Sequence, residues 1–527
     1  MHVCLLPTET LLGIFATIYE DSTTISCATS TLAALARTCR TFKEPALDIL
    51  WQQLNGFEPL ISCFPEGVRN RNMQGNLTLN RPPFPREWKI FGQYAHRVRC
   101  LSIDSMDLDA IDDRILQTLM SAPPPTLLLP DLRSLCWRDD RECFFPLLRT
   151  LLVSTITSLK LGSVCMPKWT PSFAKSALLA SLGVRCPSIQ DFSCFNCDDS
   201  QGSSDVICEA VCGWQKLCQL RTGVLNTQAL LHLASLSSLK SLHFRTCDFN
   251  DMQSNSTPTF TYQLNDMSIA ASSPSALTRH LRNLRFLSCR SVMLFVDEND
   301  VELPYDPLEL PELIISLSER FFPALERLVI DFGFEHKCLA RTDHRFAHTF
   351  DVVAPLLSLS HLKILDIPWF CTSAIDDNSL KRMAQSWPQL EEFHFGGGTC
   401  WLVPPSLTFI GLVHLIQHCR RLRSIEMTFH ASSIDTNSEL FSKIIPNTHI
   451  TSIDVGLSPI ADPLAVACQL HTLLPNLTNI DCVLWLDHLP DLPPIFDHLG
   501  DEWDRVNGFL EVLTTGAEMR KKIDQGP

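Results

Sequence analysis

The sequence predicts an α/β fold: short helices and short parallel strands alternate along a solenoid, entered through a separate group of three short helices. Three observations carry that prediction. From residue 98 onward a unit of the form apolar-x-x-apolar-x-apolar, usually led by Leu, recurs thirteen times. Segments with apolar residues at helical spacing lie between the copies, and proline marks several junctions. The stretch from Leu6 to Trp51 has helical periodicity but none of these units.

That first stretch reads as three helices. Thr8 can cap the first, with Glu9 in its first turn where a carboxylate favours the helix dipole. Thr41 and Glu44 have the spacing of a capping box and predict a new helix start after Arg40, with Pro45 in its first turn. Residues 56–96 are rich in Gly, Asn and Pro and read as a linker. Within it Trp88, Phe91 and Tyr94 predict a short helix leading to Arg97.

The repeat units begin at VRCLSI (98), LRSLCW (132), ITSLKL (156), IQDFSC (189), LCQLRT (217), LKSLHF (239) and LRFLSC (284). They continue with LERLVI (325), LKILDI (362), LEEFHF (390), LRSIEM (422), ITSIDV (450) and LTNIDC (477). Their mean spacing is about 32 residues. Pro130, Pro187, Pro323, Pro388 and Pro475 precede five of them, where proline stops a helix and favours extended chain. Leu380, Met383, Ala384 and Trp387 show the helical half of a unit, with Ser379 as its expected N-cap. Neither half buries its apolar side alone, so neighbours must stack, with a parallel sheet on one side and helices on the other. Residues 246–278 and 291–319, poor in Lys and Arg, interrupt the pattern and read as insertions. The solenoid is thus expected over 97–485, with a capping helix and polar tail in 486–527.

Two resemblances attach to these residues. Leu6, Pro7, Glu9, Leu11, Ile14, Phe15, Leu35, Cys39, Arg40, Phe42, Leu47 and Trp51 stand in the order found in the F-box, so residues 1–55 resemble that adaptor-binding module of cullin–RING ubiquitin ligases. The repeats, including Cys186-Pro187-Ser188-Ile189, resemble the irregular leucine-rich repeats of fungal-type F-box proteins, although the spacing runs from 22 to 45 residues and the usual Asn or Cys after the strand is often missing. The resemblance implies a substrate-recognition subunit of an SCF-type ligase, with the adaptor and through it a cullin as partners. It implies adaptor binding at Leu6, Pro7, Glu9, Leu11, Ile14, Phe15, Leu35, Cys39, Phe42 and Trp51, the last group (Leu35, Phe42, Trp51) shared between core and interface. A scaffold without ubiquitin transfer and an enzyme with a dispersed site are the alternative readings.

The chain has 527 residues and a net charge of −15, which argues against general nucleic-acid binding. No stretch approaches the roughly 20 apolar residues of a membrane span, and no basic n-region opens a signal peptide. The 22 cysteines are irregularly spaced and many fall at apolar positions, which favours a reducing setting in cytoplasm or nucleus and makes the sequons at Asn76, Asn255 and Asn476 chance matches. Cys194 and Cys197, with Cys186, Cys208 and Cys212 nearby, lack the paired spacing of a zinc site. His344 and His348 lack the Glu of a metalloprotease helix, and Gly396-Gly397-Gly398 lacks a phosphate loop's Lys. No catalytic, metal or cofactor site is therefore expected.

Strand alternation turns the x positions of each unit away from the core. In the early units these include Arg99, Arg133, Lys160, Arg221, Lys240 and Arg285 against Asp191. In the late units they include Asp366, Glu391, Glu392, Glu426, Asp454 and Asp481 against Lys363 and Arg423. Asp366, Glu391, His394, Glu426, Asp454 and Asp481 are the expected contacts for a basic segment of a target protein.

Overall fold

The computed structural model describes residues 6–20, 25–73, 75–121, 127–162, 172–194, 201–246, 257–262, 264–296, 306–321, 324–332, 344–397, 404–432, 444–482 and 495–524. The chain forms two compact units, Met1–Leu239 and Lys240–Pro527.

The first unit opens with helices α1 (Thr8–Glu20), α2 (Ile25–Thr38) and α3 (Arg40–Gln52). The start of α3 differs from the expected capping box. Because α2 runs to Thr38, Cys39 alone is left in extended conformation (φ −155°, ψ 164°) to separate the helices. Thr41 therefore lies inside α3, and Pro45 is buried beyond the first turn. Residues 56–96 are folded: a turn of helix (Glu58–Ile61), an antiparallel pair (Arg69–Arg71 with Leu77–Leu79) and the expected helix, Pro85–Ala95. Phe64, Trp88 and Phe91 pack ring to ring at 5.3–5.8 Å and hold this segment together. Six parallel strands follow in spatial order: Gln53–Asn55, Cys100–Ile103, Ser134–Trp137, Ser158–Leu161, Asp191–Cys194 and Gln219–Val224. The first of these is too short and polar to show as a repeat, and it makes the sheet begin directly at the end of α3.

Among the described residues, the main sheet of the second unit has nine parallel strands: Ser241–Arg245, Leu264–Ala271, Cys289–Val296, Arg327–Asp331, Ile364–Ile367, Glu392–Phe395, Ser424–Met427, Ser452–Asp454 and Asn479–Asp481. Two expectations are corrected here. The regions read as insertions contain main-sheet strands, Leu264–Ala271 and most of Cys289–Val296, and the helix Leu310–Phe321. Within the LRFLSC unit Arg285–Phe286 pairs with Thr259–Phe260 in a separate small sheet, and only its last residue, Cys289, opens a main-sheet strand. Met267, Ile269, Val292 and Leu294 fill the core from LNDMSI (264) and CRSVML (289), which keep the unit spacing but lie among the polar and acidic residues that make these regions read as insertions. Ser241, Asp266 and Ser291 stand in register 25 residues apart, so the apparent 45-residue gap contains an ordinary repeat.

Helices between the strands start as capping rules require. Ser273, Asp376, Thr408 and Asp462 each accept a backbone N–H of the helix that follows, Ser379 being the donor to Asp376 rather than the cap itself. At the end of the unit the helix Ile495–Asp524 buries Trp503, Val506 and Leu510, and it continues through the expected tail. Asn507 of this helix acts as a substitute strand. Its side-chain oxygen accepts the Ile480 N–H and its NH₂ donates to the Ile480 carbonyl, both at 2.9 Å, satisfying backbone groups on the open edge of the last strand. No described helix is long and apolar enough to cross a membrane.

Candidate functional site

The α1–α3 group is built around Leu11, Phe15, Leu32 and Ala46, with Leu6, Ile18, Leu35, Phe42 and Leu50 packed on it. The Phe15 and Phe42 rings meet edge to face at 5.5 Å. Leu11 and Phe15 are 1% and 3% exposed and lie in the core beneath the α1 surface. Pro7 and Glu9 are exposed and Ile14 is 41% exposed, while Leu6, Leu35, Cys39, Phe42 and Trp51 are half-buried. Trp51 turns to the helix Pro85–Ala95, its ring 4.6 Å from that of Tyr94. Beside it Arg97 bonds both Glu44 and Asp48 of α3. The three helices are thereby fastened to the strand-bearing part of their own unit.

In the second unit the strand register builds a ladder. Asp366 pairs with His394, His394 with Glu426, Glu426 with Asp454, and Asp454 with Asp481. Neighbouring strands lie about 4.8 Å apart, so these side chains form one row on a single face of the sheet. Leu365, Phe393, Ile425 and Ile453, the alternate residues, are buried. Glu391 does not join the row. It lies three positions before His394, in a line of alternating charge with Glu326, Lys363 and Arg423, where Lys363 bonds Glu326 at 2.8 Å. The ladder extends the other way through Val329 and Met293. Met293 lies on a strand within a region expected to be an insertion, although the run SVMLFV is an available signal for it; Val329 occupies an outward position of the LERLVI unit that carries no charge.

The row is electrostatically costly. Burial and the Asp481 carboxylate raise the Asp454 pKa, against the Gly456 N–H, which donates to its Oδ1 at 2.8 Å. Burial alone would lower His394, but Asp366, whose Oδ1 is 3.7 Å from Nδ1, outweighs it, aided by Glu426 and Glu392, and the net shift is upward. Ser424 Oγ is 2.9 Å from the other ring nitrogen. A raised histidine pKa contributes stability fully below 6.5 that is lost as pH rises through the folded value. The raised Asp454 acts in the same sense, since stability grows as pH falls towards 3.8. The urea midpoint of this unit should therefore decline as pH rises above 6.5, and His394→Gln should flatten that decline. An unchanged slope in the variant would remove His394 from the account.

The first unit carries no comparable row. Its central positions read Ser102, Cys136, Lys160, Ser193 and Arg221, and Arg99 is paired with Asp131 at 3.0 Å. Arg285 lies on the small separate sheet, outside the face expected for it. Among the cysteines, burial pushes Cys186 to about 12 and Cys208 to about 11; Cys197 lies outside the described residues. Gly396 (φ +73°) makes the turn after its strand; Gly398 is likewise outside the described residues.

No family model and no curated protein matches the chain. Solved structures similar to it include an internalin from Listeria monocytogenes, at 15% identity and a TM-score of 0.32, covering 80% of this chain and 97% of that one. The complex of Rad7 and Elc1 in yeast is similar at 13% identity and a TM-score of 0.31, covering 92% of each chain. The fold itself is α/β, helices alternating along the chain with the strands of a main parallel sheet in each unit, as stacked strand–helix repeats of a solenoid require.

Proposed function

We propose that this chain is the substrate receptor of a cullin–RING ubiquitin ligase: α1–α3 hold the ligase adaptor, and the repeats hold a target protein. The observation that carries the reading is the three-helix group with its own core, with Pro7 exposed just before its first helix and Glu9 and Ile14 exposed on it, fastened through Trp51 and Arg97 to the segment that leads into the repeats. The chain itself forms and breaks no bond in this role. It raises the effective concentration of the target near the ubiquitin carrier, in cytoplasm or nucleus.

Co-purification tests the reading. The intact chain should retain adaptor and cullin, and Leu6→Ala with Pro7→Ala should reduce adaptor retention about tenfold or more. Because Leu6 contributes to the helix core, Ile14→Lys, at an exposed site, is the companion variant and should act alike without lowering thermal stability. Full adaptor retention by both variants would overturn the assignment. Adaptor retained without cullin would instead favour a scaffold that does not transfer ubiquitin.

A further inference from the structure

The ladder changes character along its length. From Asp366 to Asp481 it is acidic apart from His394. On the neighbouring row Glu392 adds another carboxylate, followed by Ser424, Ser452 and Asn479, so neither row holds a Lys or Arg beyond Ile364. On the other side of Asp366 this row becomes apolar, flanked on the same face by Arg327 beside Ile364 and Asp331 beside Phe295. Val329 stands beside Asp366, Met293 beside Val329, and Ile364 beside Glu392. Met293, Phe295 and Ile364 are half-exposed on this face.

Two details show that the acids are held at this face. Glu426 leans across Gly397, where an added Cβ would sit 2.1 Å from its Cγ, so only glycine leaves room for that side chain. Asp454 is fixed by the Gly456 N–H. Like charges on adjacent strands oppose folding, and the register places three of them in succession at Glu426, Asp454 and Asp481.

We propose that this sheet face binds a protein segment in extended conformation, with a large apolar residue seated over Met293, Phe295 and Ile364 and successive Lys or Arg residues over Asp366, Glu426, Asp454 and Asp481. The inference deepens the receptor reading, on which it rests for naming the occupant a target. From Met293 to Asp481 the ladder spans six strand spacings, about 29 Å, which an extended chain covers in about nine residues. The carboxylates supply charge complementarity and speed of encounter, and the apolar end fixes the position along the face.

The test uses the full chain and fluorescein-labelled peptides of about ten residues, with leucines at one end and serine-spaced arginines over the rest. Saturable binding is expected, weakening with salt because the contacts are ionic. Replacing the leucines by serine should weaken binding about tenfold, and replacing the arginines by glutamate should abolish it. Glu426→Gln with Asp454→Asn and Asp481→Asn should weaken binding of the arginine peptide about tenfold or more. The asparagine oxygen at 454 can keep the Gly456 N–H bond, so the folded state is retained and its thermal midpoint should rise as repulsion is removed. Absence of saturable binding, equal binding of the glutamate peptide, or equal affinity in the triple variant would each overturn the proposal. Adaptor retention is measured on the same samples. Retained adaptor with no peptide binding defeats this face alone, whereas peptide binding without adaptor defeats the receptor reading.

Discussion

Trp387→Ala should lower the stability of the second unit by about 3–5 kcal/mol, the largest loss expected from a single side chain here. Trp387 closes the helix Asp377–Ser386 and is 0% exposed. It also ties three successive repeats together. Its ring nitrogen donates to the Leu356 carbonyl in the repeat before, at 3.2 Å, and Cys419 Sγ of the repeat after lies 3.5 Å from its own carbonyl oxygen. The Leu390 N–H donates to that same carbonyl at 3.1 Å and begins the next strand. Alanine would leave a large cavity and remove one of the two hydrogen bonds to the Leu356 carbonyl, which keeps the Leu359 N–H at 3.0 Å. Trp387→Phe separates the two effects, since it keeps most of the volume and loses the bond, and should cost about 1–2 kcal/mol. Urea unfolding followed by circular dichroism reads the difference. A loss below about 1 kcal/mol for the alanine variant would mean that neighbouring repeats close the gap, contrary to nearest-neighbour coupling in solenoids.

Trp387 also shows what the sequence made legible. Helical spacing from Leu380 to Trp387 and the stop at Pro388 identify the helix, and the leading leucines of LERLVI, LKILDI, LEEFHF and LRSIEM are buried as anchors. Twelve of the thirteen units coincide with main-sheet strands. The exception, at 284, has the right letters but lies on a small outlying pair. Leu264–Ala271 and Cys289–Val296 keep the unit spacing as LNDMSI and CRSVML, but the Ser, Thr, Asn and acidic residues around the first, and the overlapping LRFLSC match before the second, mask them. The second of these strands alters the candidate site, since its Met293 lies beside Val329 of the LERLVI unit and extends the ladder that the acids begin. Local chemistry was harder still. Thr41 and Glu44 satisfy the capping-box letters, yet the long preceding helix leaves Cys39 at the helix start. Nothing in the sequence near Asn507 announces that its amide will pair with Ile480, because the contact exists only after the last helix docks. The charge of the face could be read from alternation alone. Which acids adjoin, and that Glu391 belongs to a charge-balanced line, required the register.

Gly456→Ala should cost about 2–4 kcal/mol and should also loosen the acidic row. Two separate penalties act at this position. Its φ of +52° is a left-handed conformation that alanine adopts at a cost of about 1 kcal/mol. A Cβ there would also lie 2.4 Å from the Gly397 carbonyl oxygen and 2.7 Å from Thr428 Oγ1. The nearer of these is backbone of the neighbouring turn and cannot swing aside as a side-chain tip can. Gly75 isolates the first penalty, because its φ is +86° and nothing lies within 4 Å of an added Cβ. Gly75→Ala should therefore cost only about 1 kcal/mol. Gly456→Asn gives the complementary control: asparagine tolerates positive φ but still carries a Cβ, so it should be nearly as damaging as alanine. Full recovery with asparagine would show that conformation, not space, governs the site. The displacement also reaches the proposed docking face, since the Gly456 N–H orients Asp454 and the Gly456 carbonyl accepts from Cys482 Sγ at 3.2 Å. Weaker binding of the arginine peptide by Gly456→Ala, measured well below its unfolding temperature, would tie that turn to the row it supports. Unchanged affinity would show that Asp454 holds its place without the turn.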